Sequence, residues 1–430
     1  MSTSTNPPAA TESEEPPTFV FPEEPLGLPA DTGFGYFQGK PNDVVGPDNR
    51  FHIQAKLGVG TNSSVWLAKD SQLDRYVALK ILTGHASQLN AGKVLRELAV
   101  HKRLASLPAD ESKHCSRLIT HFTLKGIEED GEHLCLALEL ERATLESVWN
   151  AQNVKFYPIP IVKRILRHVL HGMAALHKCG VVHTDIKPDN IMISLAPSWS
   201  DETVSAWLRD HPPRAYGPCQ SLYKVVTDAI VTEEFPTPSV EDLEMCDFKV
   251  TDLSNAQELD DQTTDNITPL TLRAPEVVLG GPWDETVDIW TFGCLVFTFL
   301  TSAPLFPDRI HPIHHCFLRS DVDPNNTDDI QVDHLLWMMM VMTDQRFPPA
   351  VLSLYPNSPE YFESNGDMKR FNTIARRPLE LCIQDTGCPA SQEDVAGAVS
   401  LMRRCLQFNP SARPSAKELL QDPWLIDTSL

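Results

Sequence analysis

Positive charge is scarce in this chain of 430 residues: 36 Lys and Arg face 58 Asp and Glu, for a net charge of −22 and a pI near 5.0. That balance excludes nucleic-acid binding through overall charge, because phosphate contacts need a basic footprint. Long apolar runs are missing too, none approaching the roughly 20 residues of a membrane span, so no membrane partner is expected. The opening MSTSTNPPAATESEE lacks the basic and apolar regions of a secretory signal, which predicts an intracellular address, cytoplasm or nucleus. The ten cysteines are scattered, the nearest two being Cys382 and Cys388, with no C-x-x-C and no zinc spacing. Reduced thiols are expected, and none of the fifteen histidines forms a credible metal pair.

With 42% hydrophobic and 22% charged residues the chain reads as globular. Its length allows one large bilobal domain or two medium ones. Residues 1–35 mix Pro, Glu, Thr and Ser without apolar periodicity, the composition of a disordered leader. Strand-like stretches follow at Phe51–Leu57, Ser64–Ala68 and Tyr76–Leu82, then a helical segment around Val94–Leu107. Beyond Glu141 helices dominate. In Ile161–Cys179, Ile161, Ile165, Val169, Met173 and Leu176 recur at helical spacing, and Gly180 can end the helix. Between 194 and 248 the text turns Pro- and acid-rich, with a helix suggested at Ser200–Arg209, and reads as an insertion. The domain so delimited spans 36–427, with a small lobe at 51–141 and a large lobe at 142–427. Residues 1–39 carry −6 and residues 194–248 carry −7, so over half of the excess charge reads as solvated tail and insert.

The chemistry starts at Leu57-Gly58-Val59-Gly60-Thr61-Asn62-Ser63-Ser64-Val65, a glycine-rich turn between strands. Glycines let backbone amides approach phosphates, although such a turn alone is equally a plain hairpin. Lys80 ends the apolar stretch Val77-Ala78-Leu79, where an edge lysine is commonplace; the upstream glycines and Glu97 in the next helix favour a cation held against phosphates. The decisive segment is His183-Thr184-Asp185-Ile186-Lys187-Pro188-Asp189-Asn190. It supplies an acceptor for a hydroxyl proton (Asp185), a cation for a phosphoryl group (Lys187) and a neutral oxygen ligand for Mg²⁺ (Asn190). Asp252, after the short strand Lys249-Val250-Thr251, adds a carboxylate as the second metal ligand.

These segments resemble the eukaryotic protein kinases and, within their CMGC group, the SR-protein kinases that phosphorylate arginine/serine-rich splicing factors. The resemblance runs from Tyr36 to Leu425 and is carried by Lys56-Leu57-Gly58-Val59-Gly60, Ser63-Ser64-Val65-Trp66-Leu67, His183-Thr184-Asp185 and Asp252-Leu253-Ser254-Asn255-Ala256. Arg273-Ala274-Pro275-Glu276, Asp288-Ile289-Trp290, Gly366-Asp367-Met368-Lys369 and Asn409-Pro410-Ser411-Ala412-Arg413-Pro414 add to it. The LAMMER kinases share His-Thr-Asp, but the insertion falls where SR-protein kinases carry a spacer. The resemblance implies an α+β bilobal fold, a monomer, ATP and Mg²⁺ as cofactors, and transfer to Ser of basic, Arg/Ser-rich proteins. It gives Asp185 and Lys187 catalytic roles and makes Lys80, held by Glu97, the phosphate-bridging lysine. Leu57, Gly58, Gly60, Ser63, Val65 and Ala78 then cover the nucleotide, Leu138 stands behind the base, Glu139 and Glu141 belong to the hinge, and Asn190 and Asp252 hold Mg²⁺. Glu276 with Arg413, and Asp288, are implied braces of the large lobe.

Three departures matter. Thr184 stands where most kinases carry an arginine for an activation-loop phosphate, which implies activity without that phosphorylation. Ser254 replaces a glycine, and Pro269 falls where a threonine normally touches the catalytic aspartate, with Thr268 one residue away. The last two motivate the alternative of a catalytically silent scaffold. Acids at Glu258, Asp260, Asp261 and Asp265, and at Asp321, Asp323, Asp328, Asp329 and Asp333, offer complementary charge to an arginine-rich peptide.

Overall fold

Alternate burial along Phe51–Gly60 puts Phe51, Ile53 and Ala55 inside while His52 stays in water, the period-two pattern of a strand with one covered face. The computed structural model describes residues 21–152, 155–195, 199–217, 219–220, 225–226, 229–307, 310, 314, 317–322, 327–372 and 376–426. In the small lobe β1 (Val44–Val45), β2 (Phe51–Gly60), β3 (Ser63–Asp70), β4 (Arg75–Leu82), β5 (Leu118–Lys125) and β6 (Glu132–Glu139) form one antiparallel sheet in the order β1-β2-β3-β4-β6-β5. One face buries Phe51, Ile53, Trp66, Val77, Leu79 and Ile81 together. The three strands expected from the sequence are present, each slightly longer than their apolar text.

Two helices cross this lobe. α1 (Gly84–Ala91) escaped sequence reading because glycine and asparagine are weak helix formers. Its start is fixed by the Thr83 side chain, which accepts from the Ala86 amide. α2 (Glu97–Leu104) is the expected helix in shorter form, with Glu97, Val100, His101 and Leu104 buried on one face.

The large lobe is built on α3 (Ile159–Lys178) and on α5 (Thr286–Thr301), whose residues from Val287 onward are all buried. Gly180 follows α3 with a φ of 69°, the left-handed conformation that lets the chain turn. Around α3 lie β7 (Glu141–Thr144), β8 (Val181–Val182), β9 (Ile191–Ser194), β10 (Phe248–Val250) and β11 (Gln257–Glu258), paired as β10-β9-β7 and β11-β8. The hairpin-like β9 and β10 deliver Asn190 and Asp252 to the same end of their sheet. Trp337 and Met338–Met340 in α6 (Thr327–Thr343) are core, as their sequence suggested. Arg413 donates two bonds to the Glu276 carboxylate, at 2.6 and 2.8 Å, deep in this lobe.

The leader and the insertion are less peripheral than their composition implied. Residues 21–35, placed in the leader by composition, are packed: Leu26 and Ala30 are buried, and Glu23 and Glu24 meet the buried Lys56. In the insertion, α4 (Asp201–Asp210) lays Val204 and Trp207 on the second face of the sheet with Ala55, Leu67, Ala78 and Leu140. Acidic side chains here are held as well as solvated; Asp201 pairs with Lys69 at 3.0 Å. Among the described residues no helix is long and apolar enough to cross a membrane.

Candidate active site

A cavity of about 380 Å³ opens between the lobes. Leu57, Gly58, Gly60, Ser63, Val65, Ala78 and Lys80 line it from β2, β3 and β4, Leu138, Glu139 and Glu141 from the crossing between lobes, and Asn190 and Asp252 from below. Antiparallel register explains the convergence: Ala78 pairs with Leu138 and Lys80 with Leu136, which sets the lysine beside the rear wall.

Lys80 Nζ lies 2.6 Å from Glu97 Oε1 and 2.8 Å from Asp252 Oδ1. Burial works against both charges, but mutual attraction dominates for the lysine, whose ammonium is held above its usual range by Glu97 and Asp252. Burial alone would raise the Asp252 carboxyl; Lys80 and the Ser254 hydroxyl outweigh it and hold it well below the usual range. Ser254 Oγ donates to Asp252 Oδ1 at 2.8 Å, so the serine in the glycine position steadies this carboxylate. Both recorded bonds to Asp252 use Oδ1. Burial raises the Glu97 carboxyl.

Below the cavity, Asp185 sits at the bend of the catalytic loop. Asn190 Nδ2 donates to the Asp185 carbonyl at 2.8 Å and to its Oδ2 at 3.1 Å, and Lys187 Nζ lies 3.2 Å from the same Oδ2. Asn190 therefore spends its donors on Asp185 and keeps its oxygen as an acceptor. The loop is braced by Asp288, which accepts from the His183 and Thr184 amides at 2.8 and 2.9 Å. His183 packs structurally, between the Thr251 carbonyl and the Asp185 amide. Asp185 and Lys187 flank the cavity rather than line it. An amide oxygen at Asn190 and a carboxylate at Asp252 are the hard donors that suit Mg²⁺.

Thr184 has a φ of 67° and gives its hydroxyl to the Asn255 carbonyl at 2.9 Å. Thr268 donates to the Thr184 carbonyl at 2.8 Å, so it reaches the catalytic loop through backbone and not through the Asp185 carboxylate. Arg273 holds the Thr268 carbonyl through Nε and Nη2. The activation segment is tied to α2 by Arg96, 2.7 Å from Asp261 and 3.3 Å from Glu258, and by Arg103 on Glu258.

These pairs revise the expected acidic track. Glu258 and Asp261 are neutralised by arginines of the protein itself, Asp265 accepts from Trp283 Nε1 at 3.0 Å, and Asp333 is fully buried against Arg370 at 2.6 Å. The sequence groups Asp333 with a run of acids that could meet a basic peptide; α6 turns it inward. Asp260 and Asp321 are exposed. Asp323 and the side chains of Asp328 and Asp329 lie outside the described residues.

Sequence reading missed several groups. His101 and Ser116 line the rear of the cavity, and Glu234 and Phe235 come from the insertion. Tyr36 donates to the Gly60 and Thr61 carbonyls at 2.8 and 2.7 Å, pinning the glycine-rich turn. His101 stands four residues after Glu97 on the same helix; Ser116, Glu234, Phe235 and Tyr36 lie far from the motifs in sequence, so only folding brings them here. Folding also gathers His114, His168 and Asp247, whose ligand atoms lie within 4.8 Å of one another, where no metal-like spacing was visible. His168 Nδ1 accepts from the Phe248 amide at 3.2 Å, which puts its neutral proton on Nε2, and Asp247 pairs with Lys113 at 2.9 Å. Both features work against a metal there.

A β-rich small lobe, a helical large lobe, and a cleft that sets a lysine–glutamate pair over an Asp-x-Lys-x-x-Asn loop define a protein kinase fold. The chain belongs to the protein kinase family: the family's protein kinase domain matches residues 51–207 and 239–425. It is similar to the serine/threonine-protein kinase SRPK of Physarum polycephalum, 28% identical over 91% of this chain and 89% of that one. A serine/threonine protein kinase of Aspergillus fumigatus is 29% identical over 88% and 85% of the two chains. SRSF protein kinase 3 of Homo sapiens is 24% identical over 91% and 88%. The chain is thus an ATP-dependent protein serine/threonine kinase of SR-protein-kinase-like character.

Proposed function

We propose that the chain passes the γ-phosphoryl group of ATP to Ser of basic, Arg/Ser-rich proteins, with Asp185, Lys187, Lys80, Asn190 and Asp252 as its working groups. The observation that carries this is the shared Oδ2 of Asp185. Lys187 and the cavity-lining Asn190 both hold that carboxylate, which fixes it to accept a hydroxyl proton. Lys187 then lies where charge develops on the transferring group, and Lys80, fixed by Glu97, meets the remaining phosphates. Mg²⁺, when bound by Asn190 and Asp252, neutralises phosphate charge.

A basic substrate is supported by the exposed Asp260 and Asp321 and by the likeness to SR-protein kinases. Cytoplasmic or nuclear residence and a monomeric state belong to the same reading. The ion pairs of Arg96 do the ordering that an activation-loop phosphate does elsewhere, which supports activity without that modification.

The test is phosphate transfer from ATP and Mg²⁺ to an arginine/serine repeat peptide by protein treated with phosphatase. Asp185→Ala is expected to lower kcat by about 10²–10⁴-fold while ATP binding persists. Equal transfer to lysine-rich and Ser-Pro peptides would remove the substrate assignment; no transfer by the wild-type chain would remove the catalytic one.

A further inference from the structure

The match to the protein kinase domain leaves residues 208–238 aside, yet Glu234 and Phe235 of that stretch line the same cavity as Gly58, Lys80 and Leu138. Phe235 is buried, and its ring centroid lies 4.6 Å from that of Trp207 and 5.2 Å from that of Trp199, in edge-on arrangements. These rings join Leu57, Val65, Ala78 and Leu138 in one apolar cluster. The walls that would take a flat base are therefore continuous with the insertion.

The segment is pinned on both sides of these residues. Before them, Thr232 bridges in parallel to Lys56 of β2, and the Glu233 amide donates to the Lys56 carbonyl at 2.8 Å. Glu23 accepts from the Thr232 amide at 2.8 Å and hydroxyl at 2.5 Å while pairing with Lys56 Nζ at 2.7 Å. After them, Arg142, just past the crossing between lobes, donates from Nε to the Pro236 carbonyl at 2.9 Å. A buried aromatic ring, its segment held from both lobes, in the wall of a nucleotide-sized cavity has a defined place.

We propose that Phe235 is a specificity-determining residue of the nucleotide site, closing its base end and selecting an unsubstituted purine nucleoside triphosphate by shape. The proposal rests on the reading of this cavity as the ATP site. It gives the insertion a part in nucleotide recognition that the kinase domain at large does not supply.

The experiment compares wild type, Phe235→Ala and Phe235→Leu with ATP and with N6-benzyl-ATP, using one peptide throughout and recording thermal midpoints. Phe235→Ala is expected to raise KM for ATP roughly three- to tenfold, the worth of one aromatic contact. Its kcat and peptide KM are expected to stay within about twofold of wild type, the pattern of lost ground-state binding. The preference for ATP over the benzyl analogue narrows, and Phe235→Leu recovers most of the ATP affinity. Wild-type KM for both nucleotides in Phe235→Ala overturns the proposal. So does a parallel loss in every parameter with a lowered midpoint, which marks a merely structural ring. Direct ATP titration separates the two readings: if wild type binds no ATP, or binds it as well after Lys80→Met, the cavity is not the ATP site and both fall. Lys80-dependent ATP binding that Phe235→Ala leaves intact overturns this proposal alone.

Discussion

His101 stands one helical turn beyond Glu97, buried at the rear of the cavity, with no hydrogen-bond partner for Nδ1. Burial, with Lys80 nearby, pushes its imidazole from 6.5 down to about 3. The unfolded chain therefore takes up a proton before the folded one does. The stability held at this site is complete above pH 6.5 and is lost as pH falls toward 3. Going from pH 7 to pH 5 is expected to cost about 2 kcal/mol here. His101→Leu should remove that share, and urea unfolding of both proteins at the two pH values measures it; equal losses would show that His101 titrates normally. At this scale the catalytic groups were legible in sequence because phosphoryl transfer needs particular residue types within one loop. Tyr36 and Phe235 were not, since a lone aromatic has no chemistry-bearing neighbour in the chain; His101 has Glu97 one turn away, but a histidine on a helix face reads equally as core.

Between elements, α2 and the activation segment are joined through Arg96 and Arg103. Arg96 is buried and the Glu258 side chain is 17% exposed, so that pair is less screened than a surface pair, whereas Asp261 is 69% exposed and its pair is worth less. Arg96→Ala is expected to lower kcat/KM of the dephosphorylated enzyme about tenfold, equivalent to about 1.4 kcal/mol of lost ordering, with Arg96→Lys intermediate. Steady-state kinetics on phosphatase-treated protein measure this, and unchanged activity would mean that the pairs do not position α2. Strands β2, β3 and β4 and helix α3 were readable because short apolar stretches between turns and a 3.6-residue period are written in the chain; β1, β5 and β6 were not. Helix α1 was not, because its start depends on a threonine cap. The insertion was read as peripheral because its acids and prolines hide Val204, Trp207 and Phe235, which become a face only when α4 lies on the sheet.

For the whole molecule, two tests separate stability from recognition. Arg413→Ala strands Glu276 as an unpaired charge in the large lobe, where neither side chain is exposed. It is expected to cost about 3–5 kcal/mol in denaturant unfolding, against about zero to 1 kcal/mol for a surface pair such as Arg377 with Asp385. Charge reversal at the exposed Asp260 and Asp321 is expected to raise KM for an arginine-rich peptide and flatten its dependence on salt, leaving KM for ATP unchanged. Kinetics across ionic strength measure it; an unchanged peptide KM would place the basic substrate elsewhere.

The net charge of −22 could not say where acids are available, since Glu258, Asp261 and Asp333 look like Asp260 in a sequence. The sequence by itself determined the family, the two lobes and the groups suited to phosphoryl transfer, because local periodicity and loop chemistry depend on residues close together in the chain. Tertiary structure alone decided which acids are spent on internal arginines, that Glu23 and Glu24 anchor Lys56, and that an aromatic ring from the insertion reaches the nucleotide cavity. Those outcomes depend on burial and on contacts between distant segments, and neither is defined until the chain has folded.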